Sequence, residues 1–236
     1  MKVYISPSMQ KYNAYAAGGT TEAEQCHRIG EYAAKAMERC GIEVKLAPAS
    51  QTAEQNVAES NAWGADYHIC IHTNAGGGRD VVVFTSAKNL ADPCAKAVYE
   101  AIDALDNHVG VYGIREAAFY EIKATTAKCI YVEAEFHDAF DLAMWIIDNT
   151  ERIGEAICAG MCIGLGIPYV EANGDHFSDI ANSSHRDAIN WLYEQGISKG
   201  YGDGTFRPKN LITRGEVATM LYRALKMPDK DKAVKL

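Results

Sequence analysis

Residues 67–78, Tyr-His-Ile-Cys-Ile-His-Thr-Asn-Ala-Gly-Gly-Gly, restrict the fold of this chain more than any other stretch. A short apolar run rich in β-branched and aromatic residues, stopped by three glycines, has the pattern of a buried strand opening into a loop. In an open parallel sheet, ligands collect in the crevice beyond the carboxyl ends of the strands. His72 stands at that end, followed by glycines that let a ligand approach backbone closely. Alone it would be an ordinary core histidine. Two further ionisable groups are expected at the same edge.

The first comes from the opening of the chain. Lys2–Ser6 reads as a strand, and a loop through Gly18-Gly19 leads to Thr21, which forms a capping box with Glu24 at the start of a helix. Glu22, Cys26, Ile29, Ala33, Met37 and Cys40 follow at helical spacing as one stripe. Glu22 is the carboxylate at its upper end. Favouring the positive helix terminus would explain it, but Glu24 already serves the cap, so a core-facing Glu22 is expected to have a partner.

The second lies at the end of Cys129-Ile130-Tyr131-Val132-Glu133, another buried strand. Between these landmarks the pattern predicts strands at 42–46 and 81–85 and helices at 51–64, 92–106, 140–149 and 151–165. Residues 107–128 read as irregular loops bordering a substrate site. The alternation predicts an α/β fold, a mainly parallel twisted sheet with helices on both faces.

Charge and cysteine usage exclude several classes. A formal net charge of −8 over 236 residues argues against non-specific binding to nucleic acid or to an anionic membrane surface. No run reaches the roughly 18–20 apolar residues of a membrane span. Seven scattered cysteines, an odd number, favour free thiols in a reducing cytosol over a disulfide framework. Cys158 and Cys162, one helical turn apart among Ala, Gly, Ile and Leu, read as core packing. No secretory leader is visible before the first strand, so either a leader is missing from this sequence or the protein is made in the cytoplasm and leaves by another route.

A histidine with carboxylates at a helix start and a strand end suits a zinc hydrolase, since zinc takes nitrogen and oxygen ligands and keeps a position open. Thr21-Glu22-Ala23-Glu24-Gln25-Cys26, Ile71-His72-Thr73-Asn74-Ala75 and Val132-Glu133-Ala134-Glu135-Phe136-His137-Asp138 resemble the zinc-dependent N-acetylmuramoyl-L-alanine amidases of the amidase-3 type, over about residues 1–167. That resemblance implies Zn2+ on Glu22 and His72, Glu133 as the catalytic glutamate, and peptidoglycan as substrate. One place departs from it: Met9 occupies the position of a further histidine ligand. Gln10, His27 and His137 are the alternatives, with His27 off the Glu22 stripe. His68 is too deep in its strand to share the metal. A degenerate site that binds wall without cutting it is the other reading.

After Pro168 a polar linker (168–176) leads to a second module, predicted as an all-α helical hairpin over 177–225 with a tight Asp203-Gly204 turn and a capping box from Thr213 to Glu216. Its order and spacing resemble one S-layer homology repeat. The resemblance implies binding of a secondary wall polymer, with Arg214, Glu216, Asp203 and Gly204 as the contributing residues. Such repeats pack in threes, so a lone one with an exposed apolar edge is expected to self-associate, as a trimer. Residues 226–236 read as a charged, disordered tail. The expected whole is a wall hydrolase with one wall anchor, a phage or prophage lysin, or alternatively a cell's own autolysin.

Overall fold

The computed structural model describes residues 1–105, 112–172, 176–180 and 183–226. The chain divides into two compact units between Ala172 and Asn173. The expected tail beyond Lys226 lies outside the described residues, as do linker positions 173–175.

The first unit is built on six strands: β1 (Lys2–Pro7), β2 (Glu43–Leu46), β3 (Tyr67–Asn74), β4 (Val82–Thr85), β5 (Gly113–Glu116) and β6 (Lys128–Phe136). They lie in the order β2-β1-β3-β6-β4-β5. The first four of that order are parallel, whereas β4 runs antiparallel to β6 and β5 follows β4. The sheet is therefore mainly parallel, as predicted, with one reversal. That reversal brings the start of β4 to the edge where β3 and β6 end.

Alternate residues of β3 explain the two covered faces. Tyr67, Ile69 and Ile71 enter the main core with α1 (Glu22–Arg39), α3 (Pro93–Asp103) and α6 (Thr150–Leu165). His68 and Cys70 face the other side, where α2 (Ala53–Trp63) and α4 (Tyr120–Ala124) lie. The short α5 (Phe140–Asp148) follows β6. Helix α6 approaches its neighbours closely because its seam lacks side chains. A Cβ at Gly160 would stand 2.5–2.7 Å from the backbone of Ala97 and Val98 in α3.

Thr21 caps α1 as predicted. Its hydroxyl accepts from Glu24 N (3.4 Å) while Glu24 Oε2 accepts from Thr21 N (2.9 Å). The expectation of irregular structure over 107–128 is corrected. Residues 113–116 form the edge strand β5 and residues 120–124 form α4; residues 106–111 lie outside the described residues. β5 is four residues long and half exposed, so its sequence carries no burial pattern.

The second unit contains α7 (Arg186–Glu194) and α8 (Arg214–Leu225) around a small core of Phe177, Ile180 and Ile189. The helices match the predicted hairpin, joined by a loop in which Gly204 takes a φ of +77°. No described helix is long and apolar enough to cross a membrane.

Candidate functional site

Glu22, the first residue of α1, meets His72 near the end of β3. His72 Nδ1–H donates to Glu22 Oε1 at 2.8 Å, and both side chains are buried. This is the partner that the stripe argument called for. The loop after β1 closes over the pair. Ser8 N donates to Ile71 O (2.8 Å), which ties that loop to β3, and Glu22 N donates to Asn13 O (2.9 Å). Gln10 Nε2 then stands 3.4 Å from Glu22 Oε1 and 3.5 Å from His72 Nδ1. Asn13 Nδ2 donates to both Gln10 Oε1 (2.6 Å) and Glu22 Oε2 (2.9 Å).

Glu133 is paired with His72 in the β3–β6 register, and Tyr131, one step earlier on the same strand face, stacks on the His72 ring at 4.4 Å. Glu133 Oε2 is buried without a hydrogen-bond partner. Burial, and then the charge of Glu22, push the Glu133 carboxyl up to about 8. Glu22 moves the opposite way. Its burial works upward, but the hydrogen bond and charge of His72, with Asn13 and Ser8, outweigh that and hold it below the usual range. One edge thus carries one carboxyl held low beside an imidazole and a second pushed up, a division that suits acid–base chemistry.

A small cation fits this edge. It offers oxygen and nitrogen donors of the kinds zinc takes, and an orphaned buried carboxylate oxygen close by. Among the described residues, the groups of three His, Cys, Asp or Glu side chains close enough together to share an ion lie elsewhere, Cys40 with Cys158 and Cys162, and His68 with Cys70 and Glu121. The sulfur group adds Cys40 to the pair read as packing; burial pushes the Cys158 thiol well up, and all seven cysteines are free.

The other candidates point elsewhere. His137 Nδ1 is bonded to the Thr73 carbonyl and hydroxyl, each at 3.0 Å, and its ring stacks on Tyr15. His27 lies beside Glu31 (3.7 Å) on the outer side of α1. His68 Nε2 is bonded to Glu121 Oε2 at 2.9 Å beneath the sheet. Glu135 Oε1 accepts from Asp80 N and Phe136 N, so that carboxylate fastens backbone. Asp138, just past β6, accepts from Gly76 N (2.7 Å) and Gly77 N (2.8 Å) and holds the loop after β3. Sequence reading overlooked Asn13, a loop residue whose only signal is that carboxamides favour turns.

In the second unit, Glu216 completes the capping box by accepting from Thr213 N at 2.8 Å, and Asp203 Oδ2 accepts from Arg207 at 2.6 Å. Gly204 sits in the turn between them, and Arg214 opens α8 on the surface. A cleft of about 830 Å³ is lined by Glu216 together with Lys199, Tyr201, Arg207, Thr213 and Arg223, among others. Arg214, Asp203 and Gly204 are outside its lining. Leu211, Leu221, Tyr222 and Leu225 are exposed.

Comparison with known proteins agrees with this division. The family model described as N-acetylmuramoyl-L-alanine amidase matches residues 4–162, and the S-layer homology domain matches residues 176–218. The S-layer protein sap of Bacillus anthracis is 41% identical over 81 residues, which cover 34% of this chain and 10% of that protein. The chain thus spans about a tenth of the length of that curated relative. Among solved structures, the N-acetylmuramoyl-L-alanine amidase AmiC2 of Nostoc punctiforme superposes with a TM-score of 0.64 at 20% identity, over 70% of this chain and 97% of that one. The catalytic domain of CwlV, an N-acetylmuramoyl-L-alanine amidase from Bacillus (Paenibacillus) polymyxa var. colistinus, gives 0.61 at 17% identity, over 71% and 100%. At such identities these two likenesses speak for the fold.

Proposed function

This chain belongs to the N-acetylmuramoyl-L-alanine amidase family, and on that premise we propose that it hydrolyses the amide between N-acetylmuramic acid and L-alanine in bacterial peptidoglycan, at the edge formed by Glu22, His72 and Glu133. One observation carries this reading: Glu22 is hydrogen-bonded to His72, and Glu133, paired with His72 in the strand register, keeps a buried carboxylate oxygen without a partner at the same edge.

Glu22 and His72 would hold Zn2+, which when bound activates water and polarises the scissile carbonyl. The remaining work falls to the chain. His72, and then Asn13 and Ser8, hold the Glu22 carboxyl low, and the Tyr131 ring restricts how His72 turns. Beside a bound cation the Glu133 carboxyl would ionise; it would then take the proton released by the attacking water and deliver it to the amide nitrogen of L-alanine as the C–N bond breaks. The burial that raises its pKa makes Glu133 a stronger base for the first of these transfers.

Residues 177–225 would tether the enzyme to a secondary wall polymer through Arg214, Glu216, Asp203 and Gly204, with the exposed leucines of α8 joining three copies. Activity then lies outside the membrane, in the manner of a phage or prophage lysin or of an autolysin. Met9, standing where the resemblance places a ligand histidine, favours a second reading, a wall-binding protein without catalysis. Metal content and wall digestion separate the two. The parent protein is expected to carry zinc and to release new L-alanine amino termini from purified wall, and His72→Ala to lose both. Stoichiometric zinc in that variant refutes the site.

A further inference from the structure

We infer that the carboxamide of Gln10, positioned by Asn13, supplies the third protein ligand to the metal, in place of an imidazole. This rests on the assignment of Glu22 and His72 proposed above. Three polar atoms from three segments surround one point: Glu22 Oε1 to His72 Nδ1 is 2.8 Å, Gln10 Nε2 to Glu22 Oε1 is 3.4 Å, and Gln10 Nε2 to His72 Nδ1 is 3.5 Å. Donors about 2.0–2.1 Å from a tetrahedral ion stand roughly 3.3 Å apart, so the end of the Gln10 carboxamide already lies at ligand spacing from both, while Glu22 and His72, now at hydrogen-bond distance, would part slightly to admit an ion.

The other histidines weighed as ligands are engaged. His137 is held by Thr73 and Tyr15, His68 by Glu121, and His27 lies beside Glu31. Gln10 reaches both members of the pair.

A carboxamide can face the ion with either end. With Nε2 inward it donates to Glu22; with Oε1 inward it offers a lone pair. Asn13 makes the second state reachable. Its own amide lies 2.6 Å from that of Gln10, and the two can reverse together, keeping a hydrogen bond between them that now runs from Gln10 Nε2 to Asn13 Oδ1. The reversal gives up the bond from Asn13 to Glu22 Oε2, an oxygen whose charge the cation then neutralises. A neutral oxygen in place of an imidazole nitrogen makes a weaker and harder site for a borderline-soft ion. The expected consequence is zinc bound less tightly than in a three-ligand site with two histidines.

The test is zinc affinity by competition with a chromophoric chelator on the full-length protein, together with the visible spectrum of its cobalt(II) form. Gln10→Ala is expected to weaken zinc at least tenfold and to change the cobalt spectrum. Asn13→Ala, acting through Gln10, is expected to weaken it less, within the 10–100-fold range of residues that orient ligands. Gln10→His is expected to tighten zinc and shift the cobalt bands by adding a nitrogen donor. Gln10 is exposed, so far-UV circular dichroism should be unchanged in all three. If Gln10→Ala binds zinc like the parent with an unaltered cobalt spectrum while His72→Ala loses it, Gln10 is no ligand and the assignment of Glu22 and His72 stands. Zinc retained in His72→Ala overturns both.

Discussion

Glu133→Gln in metal-stripped protein tests the electrostatics of the site apart from its chemistry. The ordinary glutamate value of 4.5 applies to the unfolded chain, and burial and Glu22 push the carboxyl up to about 8 in the folded site. A raised carboxyl pKa means that, between these two values, the folded state keeps a proton that the unfolded state has released. Stability therefore falls as pH rises from about 4.5 and levels off above about 8. Each pH unit in that window costs 1.36 kcal/mol at most, an upper limit of about 5 kcal/mol. Relaxation and water entry at a partly open edge reduce this, and about 2–3 kcal/mol is the working expectation. Glutamine has the same shape and no charge. The variant should match the parent at pH 4.5 apart from a constant offset, and gain about 2–3 kcal/mol on it at pH 8.5, measured by urea unfolding in the presence of chelator. Saturating zinc should shrink the gain, because the ion neutralises the same charges. A difference that stays flat with pH, or a variant less stable at pH 8.5, would refute the argument from burial and Glu22.

Two further predictions concern other parts of the chain. Gly160→Ala should destabilise the first unit by about 1–3 kcal/mol, since its methyl would collide with the α3 backbone; an unchanged urea midpoint would show that the seam gives way freely. Arg214→Ala should weaken co-sedimentation with purified wall while leaving circular dichroism and hydrolysis of a soluble muropeptide unchanged, whereas equal wall binding would make Arg214 a surface charge and turn attention to Arg207 and Arg223 in the cleft lining.

Glu22, His72 and Glu133 were legible in the sequence because each closes a strongly patterned segment. Glu22 heads a helical stripe, and His72 and Glu133 end apolar strands, so a parallel sheet carries all three to one edge whatever its finer detail. The direction of β4 was not legible, because the apolar character of Val82–Thr85 is the same read either way and pairing partner decides direction. β5 escaped notice as a four-residue, half-exposed edge. Asn13 escaped because it lies in a loop, where position follows from contacts made far along the chain and no period announces them. The glycines of α6 look like weaknesses in a helix until α1 is seen lying against Gly154, and α3 against Gly160 and Gly164.

The clasp that Asp138 makes with Gly76 and Gly77 sets the smallest piece of this site that could be transplanted. His72 and Glu133 sit on adjacent strands, and a designer could place that pair on many parallel sheets. Their orientation, however, is kept by the exits of those strands, which are fastened to each other through one carboxylate and two backbone amides. A graft that carried the strands and left 76–78 or 138 behind would expose those amides to water and free the glycine loop to wander across the opening. The portable unit is therefore β3 with its glycines and β6 through Asp138, together with the loop and helix start that bring Gln10, Asn13 and Glu22.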